Sequence, residues 1–372
     1  MADKMASAVF TIKKERGILK KILLVLTGGT ICTAVNQKGV RAIHGKAASL
    51  LQQGFLESDS VYRNEVEFHT TENFGILSEN MTPHKWNQLL SYFRSVNFGE
   101  GYNGIVIAHG TDTLAYSASI LSLLFAGKNI PVFLVSSAFP LENEKANGHI
   151  HFRTAVEWIC KELPAGVYVP YRNENGKLFL HLASRLEQCK NYSNDFYSVG
   201  AMDITKGFTP KAKKQAKGVI STPCLDPMGD WQFEKGVLAI TPYVGLNYQT
   251  LSLEGVNYIL HGTYHSGTVC TQMEREGEEY NEYSVLTLLD RCRKNNVPVF
   301  FAPAQNSGEV YESVPLMANH GGEWVDFVYG CTYEMAYAKL LVACSLGMGN
   351  EQTKAFMQTD VCGEFFIKGE ES

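Results

Sequence analysis

Ile22-Leu23-Leu24-Val25-Leu26 is an unbroken apolar run that stops at Thr27-Gly28-Gly29. A run this short, with no polar residue alternating through it, suits a strand covered on both faces, as in the interior of a parallel sheet. A parallel neighbour can be reached only through a crossover, usually a helix. The chain supplies one: Thr82 before Pro83 predicts an N-cap followed by proline at the first helical position, and Trp86, Leu89, Leu90 and Phe93 recur behind it at helical spacing as a core stripe. Gly104-Ile105-Val106-Ile107-Ala108 then reads as the next strand, Leu114 to Ala126 as a helix and Pro131 to Val135 as another strand. Strand, helix, strand with short joints is the grammar of an α/β unit.

Periodicity fades over 203–231, where Lys206, Lys211, Lys213, Lys214 and Lys217 stand beside Pro210, Pro223 and Pro227, and this stretch reads as an exposed linker. The grammar resumes with strands at Val237 to Ile240 and Tyr258 to Leu260, a helix from about Ser284 to Arg293, a strand at Val297 to Phe301 and a helix from about Tyr333 to Ser345. The expectation is an α/β protein of two domains: a larger N-terminal parallel-sheet domain over 20–202 and a smaller C-terminal parallel-sheet domain over 232–372. The length of 372 residues agrees with two domains. Residues 1–19 read as a loose arm or a short edge strand.

Charge and cysteine content narrow the function. With 33 basic and 38 acidic residues the formal charge is -5, the wrong sign for a nucleic-acid or anionic-membrane binder working through bulk electrostatics. The 9 cysteines are odd in number and contain no C-x-x-C pair, which argues against a disulfide framework or a zinc site and fits a reducing cytoplasm. Lys20 and Lys21 ahead of the first apolar run imitate a signal peptide, but an h-region needs at least about 7 apolar residues, and no stretch approaches the roughly 18 that cross a bilayer. His149/His151 and His261/His265 could be paired as metal ligands, yet neither pair lies in an H-E-x-x-H context.

Two hydroxyl-rich turns follow the carboxyl ends of apolar strands: Thr27-Gly28-Gly29-Thr30-Ile31 after Leu26, and His109-Gly110-Thr111-Asp112-Thr113 after Ala108. In open parallel sheets the ligand crevice lies along that edge, so both turns can face one site. Glycines there let a backbone approach a ligand closely. Taken singly, each is also what a tight turn with an N-cap at Asp112 or Thr113 looks like. G-x-G-x-x-G and a P-loop lysine are both absent, which sets aside a nucleotide fingerprint. A threonine hydroxyl is a poor nucleophile at neutral pH and needs a base or a neighbouring cation, a part that a desolvated lysine beside a carboxylate such as Asp112 can play.

TGGTI at 27–31 and HGTDT at 109–113, about 80 residues apart, resemble the two signature segments of bacterial-type L-asparaginases, especially the cytoplasmic type I branch. The resemblance extends from about Lys20 to Phe366. It includes Ser78-Glu79-Asn80-Met81-Thr82-Pro83, similar to the segment by which that family grips a substrate's α-amino and α-carboxylate groups. The resemblance implies an amidohydrolase that uses no metal or cofactor. Thr30 would attack the side-chain amide of L-asparagine, with L-glutamine as a second substrate, and water would hydrolyse the β-aspartyl ester. Thr111, Asp112 and Lys190 would form the second constellation, and Gly29, Ser78, Glu79 and Asp112 would bind the amino-acid end. A homodimer or homotetramer is implied as well, with neither nucleic acid nor membrane as a partner.

Three positions depart from the family pattern. The family usually carries a lysine three residues after an arginine, whereas Arg185 is followed by Leu186-Glu187-Gln188-Cys189, so Lys190 is aligned by admitting a two-residue insertion and anchoring on Phe196. The family's loop tyrosine, which hydrogen-bonds the nucleophile, falls at Val40, with Tyr264 and Tyr311 as candidate substitutes elsewhere. An asparagine that a neighbouring subunit contributes falls near Ser266 or Gly267. These departures motivate a rival reading, a catalytically impaired member that binds an amino acid as a sensor. The related amidotransferase component acting on tRNA-bound glutamate is disfavoured, because it carries a substantial domain before its first motif and only 26 residues precede Thr27 here.

Overall fold

The computed structural model describes residues 19–35, 41–43, 45–96, 101–208, 231–234, 236–272, 281–304 and 309–366. Val40, nearly all of the expected arm at 1–19 and most of the expected linker, 209–230, lie outside the described residues.

The N-terminal unit is built on strands β1 (Lys20–Gly28), β2 (Val66–Ile76), β3 (Gly104–Ala108), β4 (Pro131–Val135), β5 (Gly166–Arg172), β6 (Leu178–Leu182) and β7 (Met202–Asp203). Its helices are α1 (Ala47–Leu56), α2 (Pro83–Ser95), α3 (Leu114–Leu124) and α4 (Gly148–Cys160). The strands form one sheet in the order β7-β6-β5-β4-β3-β1-β2. From β2 to β5 every pairing is parallel, as the buried apolar runs require, and Ile22, Leu24, Val25 and all of Ile105–Ala108 are completely buried. β6 and β7 run antiparallel and form one edge of this parallel-dominated sheet, an edge that no expected element foretold. Its cause is local: Asn173-Glu174-Asn175-Gly176 closes a hairpin, with Gly176 at φ +82 and the Asn173 N–H donating to Lys177 O (3.0 Å), so no crossover intervenes.

The smaller unit has strands β8 (Val237–Ile240), β9 (Tyr258–His261), β10 (Val299–Ala304) and β11 (Val325–Tyr329), all parallel and in chain order. Helix α5 (Val285–Asn295) starts at an N-cap, Ser284, whose hydroxyl accepts from Leu286 N (3.4 Å), and α6 (Ser313–Gly321) and α7 (Tyr333–Ser345) follow. α2 begins at Pro83, with the Thr82 hydroxyl accepting from Lys85 N, and its stripe of Trp86, Leu89, Leu90 and Phe93 is buried.

One core runs through both units. α3 is buried almost all round, and its serines are accommodated because Ser119 and Ser122 donate to carbonyls four residues back (2.9 and 2.7 Å) while Ser117 Oγ accepts from Trp86 Nε1 (2.9 Å). α7 packs on it: Tyr116 and Tyr337 meet edge to face at 5.8 Å, and Trp86 touches Phe233 and Tyr337. Trp231, at the end of the expected linker, is fully buried in the same cluster. The last described segment is clamped to the larger unit where the Arg185 guanidinium donates to Gly363 O and Phe365 O (2.6 Å each) and Ser184 Oγ donates to Cys362 O (3.1 Å). Among the described residues no helix is long and apolar enough to cross a membrane.

Candidate active site

Three segments converge at the carboxyl edge of β1, β2 and β3. Gly28 and Gly29 leave β1 with φ of +133 and +74, a region open to glycine, and Gly29 N donates to Ile76 O (2.9 Å) at the end of β2. A Cβ on Gly28 would lie 2.0 Å from Ile76 O, and one on Gly29 would lie 2.1 Å from the Gly110 Cα. A Cβ on Gly110 would in turn meet Ser78 Oγ at 2.3 Å and Gly29 Cα at 2.9 Å. The two sequence motifs and the 78–83 segment therefore touch at distances only glycine permits. Thr27 Oγ1 locks the first turn to the second by donating to Ala108 O (2.8 Å).

Thr30 begins a single 3₁₀ turn, Thr30–Cys32, closed by Cys32 N donating to Gly29 O (2.8 Å) and by Thr33 Oγ1 donating to Thr30 O (2.9 Å). Its side chain is half-buried, and its hydroxyl is uncommitted among the described residues. Ser78 is buried and central. Its hydroxyl donates to Asp112 Oδ2 (3.1 Å) and lies 3.3 Å from Asp112 N, and its carbonyl accepts from Thr113 Oγ1 (2.9 Å). Asp112 and Glu79 are exposed, Thr111 is half-buried and Gly29 is buried. Gly29, Thr111, Asp112 and Ser78 are thus brought together, with Thr30 and Glu79 on the same segments.

Lys190 is not brought into this set. It is exposed at a turn, its charge acts on Glu187, and no hydrogen bond or ion pair joins it to Thr111 or Asp112 among the described residues. The residue set against the second turn is Gln188, whose Nε2 donates to Thr111 O (2.8 Å) and whose Oε1 accepts from Ala115 N (3.2 Å). Gln188 stands three residues after Arg185, the very spacing that the inserted alignment passes over. Tyr264 and Tyr311, candidate substitutes for a loop tyrosine, are 38% and 66% exposed. Ser266 spends its hydroxyl on Thr268 Oγ1 (2.9 Å).

Beneath the turns lies a polar row that the sequence did not disclose. The registers Leu26–Ala108, Ala108–Val135 and Phe133–Tyr168, continued along the strands, set Thr27, His109, Ser136 and Tyr171 side by side, all buried. His109 Nδ1 donates to Gly110 O (2.7 Å), and burial pushes its pKa below the usual imidazole value, so the ring is neutral and Nε2 is an acceptor. That Nε2 and the Ser136 hydroxyl have no hydrogen-bond partner among the described residues. His151 and His261, once candidates for metal pairs, are committed elsewhere: His151 Nδ1 donates to Ser136 O (2.7 Å) and His261 Nε2 meets Tyr248 Oη (2.9 Å). Among the described residues no three His, Cys, Asp or Glu gather as metal ligands would.

A doubly covered parallel sheet with hydroxyls, a carboxylate and bare backbone at its carboxyl edge defines an α/β scaffold whose ligand crevice lies along that edge. The family described as "Asparaginase, N-terminal" matches residues 21–207, half of the chain, and the chain belongs to the asparaginase family. It is 26% identical over 366 residues to a glutamyl-tRNA(Gln) amidotransferase component of Methanococcus maripaludis, an alignment covering 93% of this chain and 81% of that one. It is 29% identical over 236 residues to an L-asparaginase of Thermococcus kodakarensis, covering 62% and 66% respectively. The fold matches the thermostable L-asparaginase from that organism with a TM-score of 0.69 at 23% identity, over 94% of this chain and 100% of the other. It matches L-asparaginase I of Vibrio cholerae with a TM-score of 0.66 at 22% identity, over the same shares.

Proposed function

We propose that this chain is a cytoplasmic, homo-oligomeric amidohydrolase converting L-asparagine and water to L-aspartate and ammonia, with L-glutamine the poorer substrate. The observation that carries the reading is the convergence of Gly29, Ser78 and Gly110 at distances only glycine allows, with Ser78 hydrogen-bonded to Asp112. Ser78, Glu79 and Asp112 hold the zwitterionic end of the amino acid, the exposed carboxylates of Glu79 and Asp112 facing the ammonium. Thr30 Oγ1 attacks the side-chain amide carbon, and the hydroxyl proton leaves with the amine as ammonia. Water then adds to the β-aspartyl ester, releasing L-aspartate and restoring the Thr30 hydroxyl. Backbone N–H groups of the two turns other than Gly29 N, which is bonded to Ile76 O, are the donors offered to the oxyanion, and Thr111 supplies the second hydroxyl. Lys190 remains the cation proposed to help release the Thr30 proton, although among the described residues the side chain bonded to the Thr111 carbonyl is that of Gln188.

A second reading is favoured by one observation: relatives named as part of an amidotransferase align over 93% of this chain. In that reading the same centre releases ammonia from L-glutamine. Ammonia release from each amino acid separates the two. A kcat/KM at least about 10-fold higher for L-asparagine supports the first. The reverse preference supports the second, and binding without turnover supports an amino-acid sensor.

A further inference from the structure

The first turn of a helix leaves four N–H groups without intrahelical partners, and the side chain at the N-cap normally accepts from one of them. In α3 this does not happen. Thr113 holds the cap position, but its hydroxyl makes no cap hydrogen bond and donates instead to Ser78 O (2.9 Å). The cap comes from 73 residues further along the chain, where Gln188 Oε1 accepts from Ala115 N (3.2 Å), as a cap oxygen would. The same amide donates through Nε2 to Thr111 O (2.8 Å), so one side chain grips the turn and the helix that follows it. Gln188 is held in place by its own backbone N–H, which donates to Glu334 Oε1 (3.0 Å). Glu334 lies in the first turn of α7, in the smaller unit, and is only 9% exposed.

We infer that Gln188 is a positioning residue that caps α3 in place of Thr113, freeing the Thr113 hydroxyl to hold Ser78, and that through Glu334 it braces the Thr111-Asp112 turn against the smaller unit. A glutamine suits this better than any charged residue, because the task needs one donor and one acceptor on a single planar group. A lysine could donate to Thr111 O but could not accept from Ala115, and a glutamate could accept but would turn an oxygen on Thr111 O. The consequence rests on the function proposed above: the amino-acid end of the substrate is bound by groups whose placement depends on a residue that does not touch it.

The test uses the full chain with Gln188→Leu, Gln188→Glu, Glu334→Gln and Glu334→Leu. Its readouts are hydrogen exchange at the Ala115 amide, L-aspartate binding by calorimetry and melting temperature. Gln188→Leu is expected to speed Ala115 exchange at least about 10-fold, the equivalent of one lost hydrogen bond. It is expected to weaken L-aspartate binding by at least about 10-fold, while the melting temperature stays within a few degrees. Gln188→Glu is expected to keep the Ala115 amide protected and still lose affinity, which separates the two bonds. Glu334→Gln, which keeps an acceptor, should behave as wild type, and Glu334→Leu should reproduce the Gln188→Leu pattern in milder form. Unchanged exchange in Gln188→Leu overturns the cap. Faster exchange with unchanged affinity overturns the coupling to the site. A wild-type chain that binds neither L-aspartate nor L-asparagine overturns the functional reading instead, and the exchange result still decides the cap.

Discussion

Replacing Gly29 by alanine probes the packing that brings the two motifs together, and the structure supplies its own control. Gly29 has φ +74 and a Cβ there would lie 2.1 Å from Gly110 Cα and 2.3 Å from Gly110 N, both backbone atoms. Gly255 has φ +70 and nothing within 4 Å of its Cβ position. Gly255→Ala carries the cost of an alanine at positive φ, about 1–2 kcal/mol, and Gly29→Ala that of one at φ 74 and ψ -174, a region essentially reserved for glycine, about 1–3 kcal/mol. Only Gly29→Ala adds overpacking, about 1–3 kcal/mol, because its Cβ would meet the backbone of Gly110, which itself packs closely against Ser78. Gly255→Ala should therefore lose about 1–2 kcal/mol and Gly29→Ala roughly 2–6 kcal/mol in urea unfolding. Gly29→Ala alone should also abolish L-aspartate binding, since the displaced Ser78 loses Asp112. Equal losses of stability in the two variants would refute the close approach of the two turns.

Lys339 and Glu364 form a fully buried ion pair at 2.7 Å, with Glu364 also accepting from Val361 N and Cys362 N, so Lys339→Met strands a charge and should destabilise the chain by about 3–5 kcal/mol in the same assay. The pH dependence follows from burial of neutral histidines: His151, His181 and His261 are pushed down to about 4, about 3 and about 4. The unfolded chain takes up these protons below about pH 6.5 while the folded chain does not, so their stabilising effect is present in full above 6.5 and is lost as pH falls toward 4. Each histidine should contribute a slope of up to about 1.4 kcal/mol per pH unit, and unfolding free energies at pH 7, 6 and 5 that stay level would contradict this. Light scattering should give at least twice the chain mass of 41.3 kDa, and a monomeric mass with full activity would remove the expected oligomer.

Much of the fold was legible because buried parallel strands leave a strong trace, as at Gly104–Ala108 and Pro131–Val135, and because apolar recurrence marked the Val237–Ile240 strand and the Tyr333–Ser345 helix. The antiparallel edge was not, since Leu178–Leu182 alternates less clearly and its direction depends on a five-residue turn rather than on the strand itself. At the site, the glycine turns were readable because backbone contact demands glycine. Their partner Gln188 was hidden, because a neutral polar side chain that caps a helix 73 residues away leaves no local pattern, whereas the family resemblance points to a cation. The row of His109, Ser136 and Tyr171 was hidden for a similar reason: it exists only once strand register is known. Sharing of one core by the two units was equally invisible, since the contact of Tyr116 with Tyr337 joins residues that periodicity assigns to separate domains.

The central claim is that the Thr30 hydroxyl is the nucleophile of an amide-hydrolysing site. Ammonia release from L-asparagine by the wild-type chain, measured beside Thr30→Ala, tests it most directly. The account predicts turnover by wild type and a loss of at least about 100-fold in the variant, with folding unchanged, because a half-buried hydroxyl that makes no hydrogen bond among the described residues contributes within about 0.5 kcal/mol to stability. Equal rates in the two proteins, or no ammonia from a wild-type chain that binds L-asparagine, would contradict it.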